Sequence, residues 1–188
     1  MRSPVAMFLA LFLLLSGCWW IDDDPHKKYC ASHRQRLESA RDDTTRLRLL
    51  PWVAECTFED GDLEHASEMA LEALALAQRI EVESDQGIPV HIANIVLGRL
   101  ALLEGDKTSA IAHLHAATQV PIPAPPDWFT PDFNLARTLL EIGEREQVHQ
   151  YLEECKPIWK QGLPCLQQWQ EQITLRQIPN FYTWECRT

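Results

Sequence analysis

Two hydrophobic patterns divide the chain. From Val5 to Leu15 every residue is apolar, and the run ends at Ser16-Gly17-Cys18. Beyond it, apolar residues recur three and four positions apart through most of the chain, and Ala, Leu, Glu, Gln and Arg are abundant. No sustained alternation appears. That spacing puts apolar side chains on one face of helix after helix and predicts an all-α fold. Glycine punctuates the helices at Gly61-Asp62, Gly105-Asp106 and Gly143-Glu144. Two connections are long. Ser84-Asp85-Gln86-Gly87 before Pro89 reads as a helix stop and restart. The proline-rich stretch 121–126 leads to Thr130-Pro131, where a threonine N-cap with proline in the first helical position predicts the next start.

The segments between these breaks repeat. From His91 onward come Leu97-Gly98, Ala101, Gly105-Asp106, Ala110-Ile111, Leu114 and Ala117. Small residues let two helices of a hairpin approach closely, and the glycine turns the chain between them. This stretch resembles the tetratricopeptide repeat, a 34-residue pair of antiparallel helices. Asn94 departs from that pattern, standing where the family often has tryptophan, and no proline falls at the family's closing position. Weaker copies occupy residues 47–80, with Gly61-Asp62, Ala66 and Ala73, and 129–162, with Leu135-Ala136, Gly143-Glu144 and Leu152. The three turn glycines are spaced 44 and 38 residues apart, so the connections are longer than the family's unit. The resemblance implies a right-handed α-solenoid of about three hairpins, at 47–80, 91–124 and 129–162. An added helix within 26–46 would precede them, and a cap and tail, 163–188, would follow, with a capping helix over 166–176.

Position along the chain gives an address. Arg2, the short apolar run and the small residues before Cys18 describe a secretory signal, too short for a retained span. The cysteine at the break resembles the lipobox of bacterial lipoproteins. That resemblance implies removal of residues 1–17, a lipid anchor at Cys18, and a tether over 18–25 in which Trp19 and Trp20 sit at headgroup level. Trp19 is not the aspartate that favours inner-membrane retention in enteric bacteria, so outer membrane facing the periplasm is the expectation. The alternative is an ordinary signal peptide.

The whole chain carries a net charge of −10, and loss of Arg2 with the signal makes it −11. A surface that acidic argues against nucleic acid and against adhesion to anionic headgroups. Five cysteines besides Cys18 suit an oxidising compartment. If the first two helices form a hairpin turning near Asp43, Cys30 and Cys56 lie equally far from the turn and stand at matching heights. Cys155 and Cys165 close a short loop around Pro157 and Pro164, which makes them a second candidate pair; Cys186 is left over or displaces one of them. No close Cys-x₂-Cys pairing points to a metal, and no cofactor motif is present.

Catalytic motifs are missing as well: no Gly-x-Ser-x-Gly, Ser-x-x-Lys, His-Glu-x-x-His or phosphate-cradling loop. His113 and His115, two apart on a helix, point to different faces and read as half-exposed surface residues. Glu153-Glu154 reads as a charge run. The expectation is a non-enzyme, with one carboxylate in a perturbing pocket as the feature that would reverse it.

Recognition remains. In tetratricopeptide domains the first helix of each repeat lines a concave groove. Carried over, that resemblance assigns Phe58 and Glu59 in the first repeat, Ile92, Ile95, Arg99, Leu102 and Leu103 in the second, and Phe133, Arg137 and Leu140 in the third. The middle would be apolar, with Arg99 and Arg137 placed to meet a carboxylate of a peptide or helix. The competing arrangement is a groove filled from within, with 166–176 folded back over Ile95 and Leu102. Trp159 and Trp169 read as packing residues, and the tail from Phe181 to Trp184 either packs or docks. Small lipoproteins with such repeats are similar to pilotins, assembly lipoproteins of envelope machines and scaffolds for cell-wall enzymes. The expected function is therefore a lipid-anchored adaptor or assembly factor for a protein of a pilus, secretion system or other envelope complex, alone or as a homo-oligomer. The alternative is an immunity or inhibitor lipoprotein that neutralises a periplasmic effector enzyme.

Overall fold

The computed structural model describes residues 24–80, 87–119, 122 and 125–181. The signal, Cys18, Trp19, Trp20, Trp184 and Cys186 lie outside the described residues. Within them the chain is all helical and no strand occurs. Eight α-helices follow in order: α1 Pro25–Ser39, α2 Asp43–Glu59, α3 Leu63–Arg79, α4 Gly87–Leu103, α5 Lys107–Ala116, α6 Asn134–Glu141, α7 Arg145–Cys155 and α8 Leu163–Thr174. A 3₁₀ turn, Lys160–Gly162, leads into α8. None of these helices is long and apolar enough to cross a membrane.

Local chemistry sets the ends. Asp24 caps α1 by accepting from His26 N–H, with proline at the start of the helix, and Asp42 caps α2 by accepting from Thr45 N–H at 2.8 Å. Three helix pairs, α2/α3, α4/α5 and α6/α7, share one turn. In each, glycine adopts positive φ, at +86° for Gly61, +80° for Gly105 and +97° for Gly143. Its N–H bonds three residues back, to Phe58, Leu102 and Leu140 respectively. The next residue's N–H bonds five back, to Thr57, Ala101 and Leu139. This double bond satisfies carbonyls that the helix end leaves without partners, and only glycine enters that conformation without strain. Asp62 and Asp106 then cap the following helix.

Each pair packs on the next, and α2, α4 and α6 lie in successive contact. α4 is the hub, packing on α2, α3, α5 and α6. It is apolar around its circumference, as a helix enclosed on all sides must be. Val90, Ala93, Val96, Leu97 and Leu100 enter a first core with Leu47, Leu50 and the alanines Ala66, Ala70 and Ala73 of α3. Ile95 and Ala101 enter a second, with Leu135, Tyr151, Trp159 and Trp169. Ile88 and Ile92 enter a small third one with Ile122, Phe129 and Ile158. Gly98 is required where α4 meets its neighbours: a Cβ there would collide with Leu135 and crowd His113 Cβ at 3.2 Å.

Three expectations about local structure change. The helix expected to begin at Thr130-Pro131 begins at Asn134, because Asp132 N–H is drawn away to a buried histidine and the Asp132 carboxylate takes Asn134 N–H at 2.7 Å. The capping helix begins at Leu163 and ends at Thr174 rather than spanning 166–176. The Cys155–Cys165 pair does not form. Cys155 is a free thiol buried at the end of α7, bonded to Tyr151, and burial raises its pKa well above the ordinary thiol value. Cys165 is itself disulfide-bonded, but not to Cys155. Cys30 and Cys56 are bonded, with Cα atoms 5.7 Å apart, and tie α1 to α2 across the turn at 40–42.

Candidate functional site

The expected groove is largely occupied by the chain itself. Ile92 and Ile95 are only 4% and 1% exposed, Phe133 6% and Leu140 1%. Phe129 and Ile122, from the connection between α5 and α6, cluster with Ile92. Phe133 is enclosed by Tyr151, Trp159, Trp169 and Phe181, the last stacked parallel at 5.3 Å. Those four residues are core and offer no contact surface. The filling comes from the long connection and from Phe181, as well as from α8. Leu103 stays exposed, Leu102 and Phe58 are half-buried, and Glu59 and Arg137 are exposed.

The two arginines do not converge. Arg99 Nη2 donates to Glu59 at 2.6 Å, and its guanidinium lies 4.1 Å over the Phe58 ring. Arg137 pairs with Glu141 on its own helix. Each carries its own carboxylate, which removes the expected clamp. Arg99 Nη1 is buried with no acceptor among the described residues.

What the structure does assemble is a cavity of about 270 Å³ between α2, α4 and the segment before α6. Trp52 and Glu55, three apart on α2, face it from one side, and Ile92 lines it from α4. Trp128, Phe129 and Asp132 close it from the connection. Glu55 and Asp132 are hydrogen-bonded to each other across this gap. Two carboxylates so close cannot both ionise cheaply. Burial, then the Asp132 charge, raises the Glu55 pKa to about 7, against the opposing pull of Arg99. Glu55 thus keeps its proton up to near neutrality.

His91 beneath it is fully buried, and burial lowers its pKa. Its Nδ1–H donates to the Ala117 carbonyl at 2.9 Å and its Nε2 accepts from Asp132 N–H at 3.0 Å. That pattern fixes the neutral tautomer with both ring nitrogens in use. His91 is therefore a clip that pins both ends of the connection to α4, with no nitrogen left for proton transfer. Tyr151 Oη completes the anchoring by donating to the Asp132 carbonyl at 2.9 Å. Asp132 is consequently held at its N–H, its carbonyl and its carboxylate.

On the other side of Asp132 a second cleft of about 330 Å³ runs past Asn134 and Arg137 to Phe181. A third depression, of about 600 Å³, lies on α7 and α8 between His149 and Leu175. His26, Cys30 and Cys56 bring three ligand-type atoms together, but both sulfurs are spent in the disulfide and neither is a thiolate. His113 and His115 are half-buried and diverge, the first to Asn94 Oδ1 at 3.0 Å and the second to Glu154 at 2.9 Å.

The sequence reading missed Trp52, Glu55, His91, Trp128 and Asp132. A signal existed for two of them: Glu55 and His91 are polar residues set in largely apolar helical runs. Nothing in the sequence joined them to Asp132, 41 residues beyond His91. No family model, curated protein or solved structure matches this chain.

Proposed function

We propose that the chain is a lipid-anchored adaptor or assembly factor of the bacterial envelope, a short tetratricopeptide-like solenoid that binds a protein partner and makes or breaks no bond. The observation that carries this reading is the row of first helices α2, α4 and α6 in successive contact, each hairpin closed by the same positive-φ glycine turn. Solenoids of that kind present the faces of successive helices as one recognition surface. The apolar surface left open along that row is small: Leu103 on α4, 62% exposed, Trp128 on the adjoining connection, 68% exposed, and the cavity beside Glu55. That favours a short segment of a partner over a long helix lying in a groove. Anchoring through Cys18 would confine the protein to a membrane and raise its effective concentration near a membrane-bound partner.

The test places a photo-crosslinking residue at Trp128 or Leu103, and separately at Leu71 on α3, in cells of the native host. Expected is one defined adduct with an envelope protein from the first two positions and none from Leu71. An adduct from Leu71 alone, to a soluble enzyme, would replace this reading by the inhibitor one. A Cys18→Ser chain that still fractionates with membranes through detergent-sensitive binding would remove the anchor.

A further inference from the structure

We propose that the cavity between Trp52, Trp128 and the Glu55–Asp132 pair is a receptor for a single cationic side chain, a lysine or arginine, carried by the partner. The proposal deepens the adaptor reading and rests on it for the word partner, but the pocket itself is testable alone.

Three observations converge. The first is charge. Of the ionisable groups around the cavity, Arg99 donates to Glu59 while its charge also reaches Glu55, and His91 is neutral, so the carboxyl groups that line the cavity itself are Glu55 and Asp132. A proton is what now reconciles them. An ammonium or guanidinium seated against both carboxyl groups does the same work, with the Glu55 proton released to solvent as the cation enters. Charge balances in that exchange: one positive charge in, one out. The second is the wall. Trp52, Trp128 and Phe129 line the space, and the faces of aromatic rings attract cations. An anion would face the two carboxyl groups there. The third is size and field. About 270 Å³ holds one long basic side chain with a few waters, and a chain of net charge −10 draws basic segments toward it. The site is also rigid: Asp132 is fixed by His91, Tyr151 and Asn134, so a ligand finds its carboxylate already in place.

The probes are N-acetyl-lysine methylamide, N-acetyl-arginine methylamide and the neutral N-acetyl-norleucine methylamide, added to the full mature protein. Indole NMR shifts follow binding, and calorimetry in two buffers of different ionisation enthalpy counts protons. Expected is saturable binding of a cationic probe, on the order of tenfold tighter than norleucine. Close to one proton should be released per probe bound at slightly acidic pH. Glu55→Gln, nearly isosteric, should abolish the proton release and weaken binding on the order of tenfold. Trp52→Leu should weaken it less. Norleucine binding as well as lysine, or a neutral chito-oligosaccharide binding in preference to both, would overturn the proposal. So would cation binding without proton release. Should Glu55→Gln fail to fold, the wild-type protein alone still decides, through the norleucine comparison and the proton count. Lysine binding with no crosslink from Trp128 or Leu103 would keep the pocket and sink the adaptor.

Discussion

The first and third hairpins are closed by opposite means. Between α2, α3 and α4 the seam is lined by Ala54, Ala66, Ala70, Ala73 and Ala93, each fully buried. Around α6 and α7 it is filled by Phe133, Tyr151, Trp159 and Trp169. Alanines on long helices bring backbones together over many turns, so α2 and α3 need little side-chain volume between them. α6 has only 8 residues and α7 only 11, and helices that short leave gaps at their ends. Large rings fill those gaps, and α8 and Phe181 lie over them. One half derives its packing from backbone approach and the other from ring volume, which makes them fragile in different directions.

The contrast should show most strongly on truncating a ring. Phe133→Ala removes contacts to four aromatic neighbours and should lower stability by about 3–5 kcal/mol, seen as a fall in the urea midpoint and a red shift of tryptophan emission. A loss well under 1 kcal/mol would mean that the rings are not mutually supporting.

The seam between the halves is next, because Glu55 belongs to one and Asp132 to the other. An acid whose folded pKa is raised stabilises the fold where it is protonated in both states. That contribution is lost as pH climbs from the unfolded value, 4.5, through the folded value of about 7. The folded chain holds a proton across that window that the unfolded chain has released. The wild type should therefore lose about 3 kcal/mol from this group between those limits, and Glu55→Gln should not. Glu153 and Glu154, whose pKa values are lowered, act in the opposite sense, losing their contribution as pH falls. Urea midpoints of both proteins on either side of the window decide the matter; parallel pH profiles would show that Glu55 is not perturbed.

Adding volume should hurt the alanine-lined half. Ala70→Leu has no space to enter at full burial and should cost about 1–3 kcal/mol through overpacking, without the fluorescence change expected of Phe133→Ala. A neutral result would mean that the helices separate easily.

The smallest effect distinguishes turns rather than cores. α8 ends as the hairpin helices do, with Gln177 N–H bonded to the Gln172 carbonyl, but Arg176 takes the positive-φ position at +63°. Arg176→Gly should relieve that strain and raise stability by about 0.5–1 kcal/mol. The reverse change at Gly61 should cost a similar amount, and calorimetric Tm values resolve both.

Periodicity was enough to read most of the helices because they bury one face, with α4 enclosed on all sides as the exception, and local bonding decides helix ends. The turns at Gly61, Gly105 and Gly143 were legible for that reason: positive φ is a property of the residue itself. The Cys30–Cys56 bond followed from the same local reasoning, since a hairpin fixes which heights coincide. Cys155 and Cys165 misled because nearness in sequence says nothing about which way a side chain at a helix end points, and Cys155 faces Tyr151. Whether the groove is open or filled stayed undecided in the sequence for a similar reason. Helical spacing gives the face on which Ile92 stands, but not what else covers that face.

The sequence by itself determined the helical class, the three glycine turns and the first disulfide, because these depend on spacing along the chain and on single-residue conformational preference. Only the tertiary structure decided that the expected groove is filled, that Arg99 and Arg137 are separately paired, and that Glu55 and Asp132 meet beside Trp52 and above His91. Those are matters of distance in space between elements far apart in the chain. The proton that Glu55 holds near neutrality comes from burial and from a neighbour 77 positions away, and neither is a property that residue carries alone.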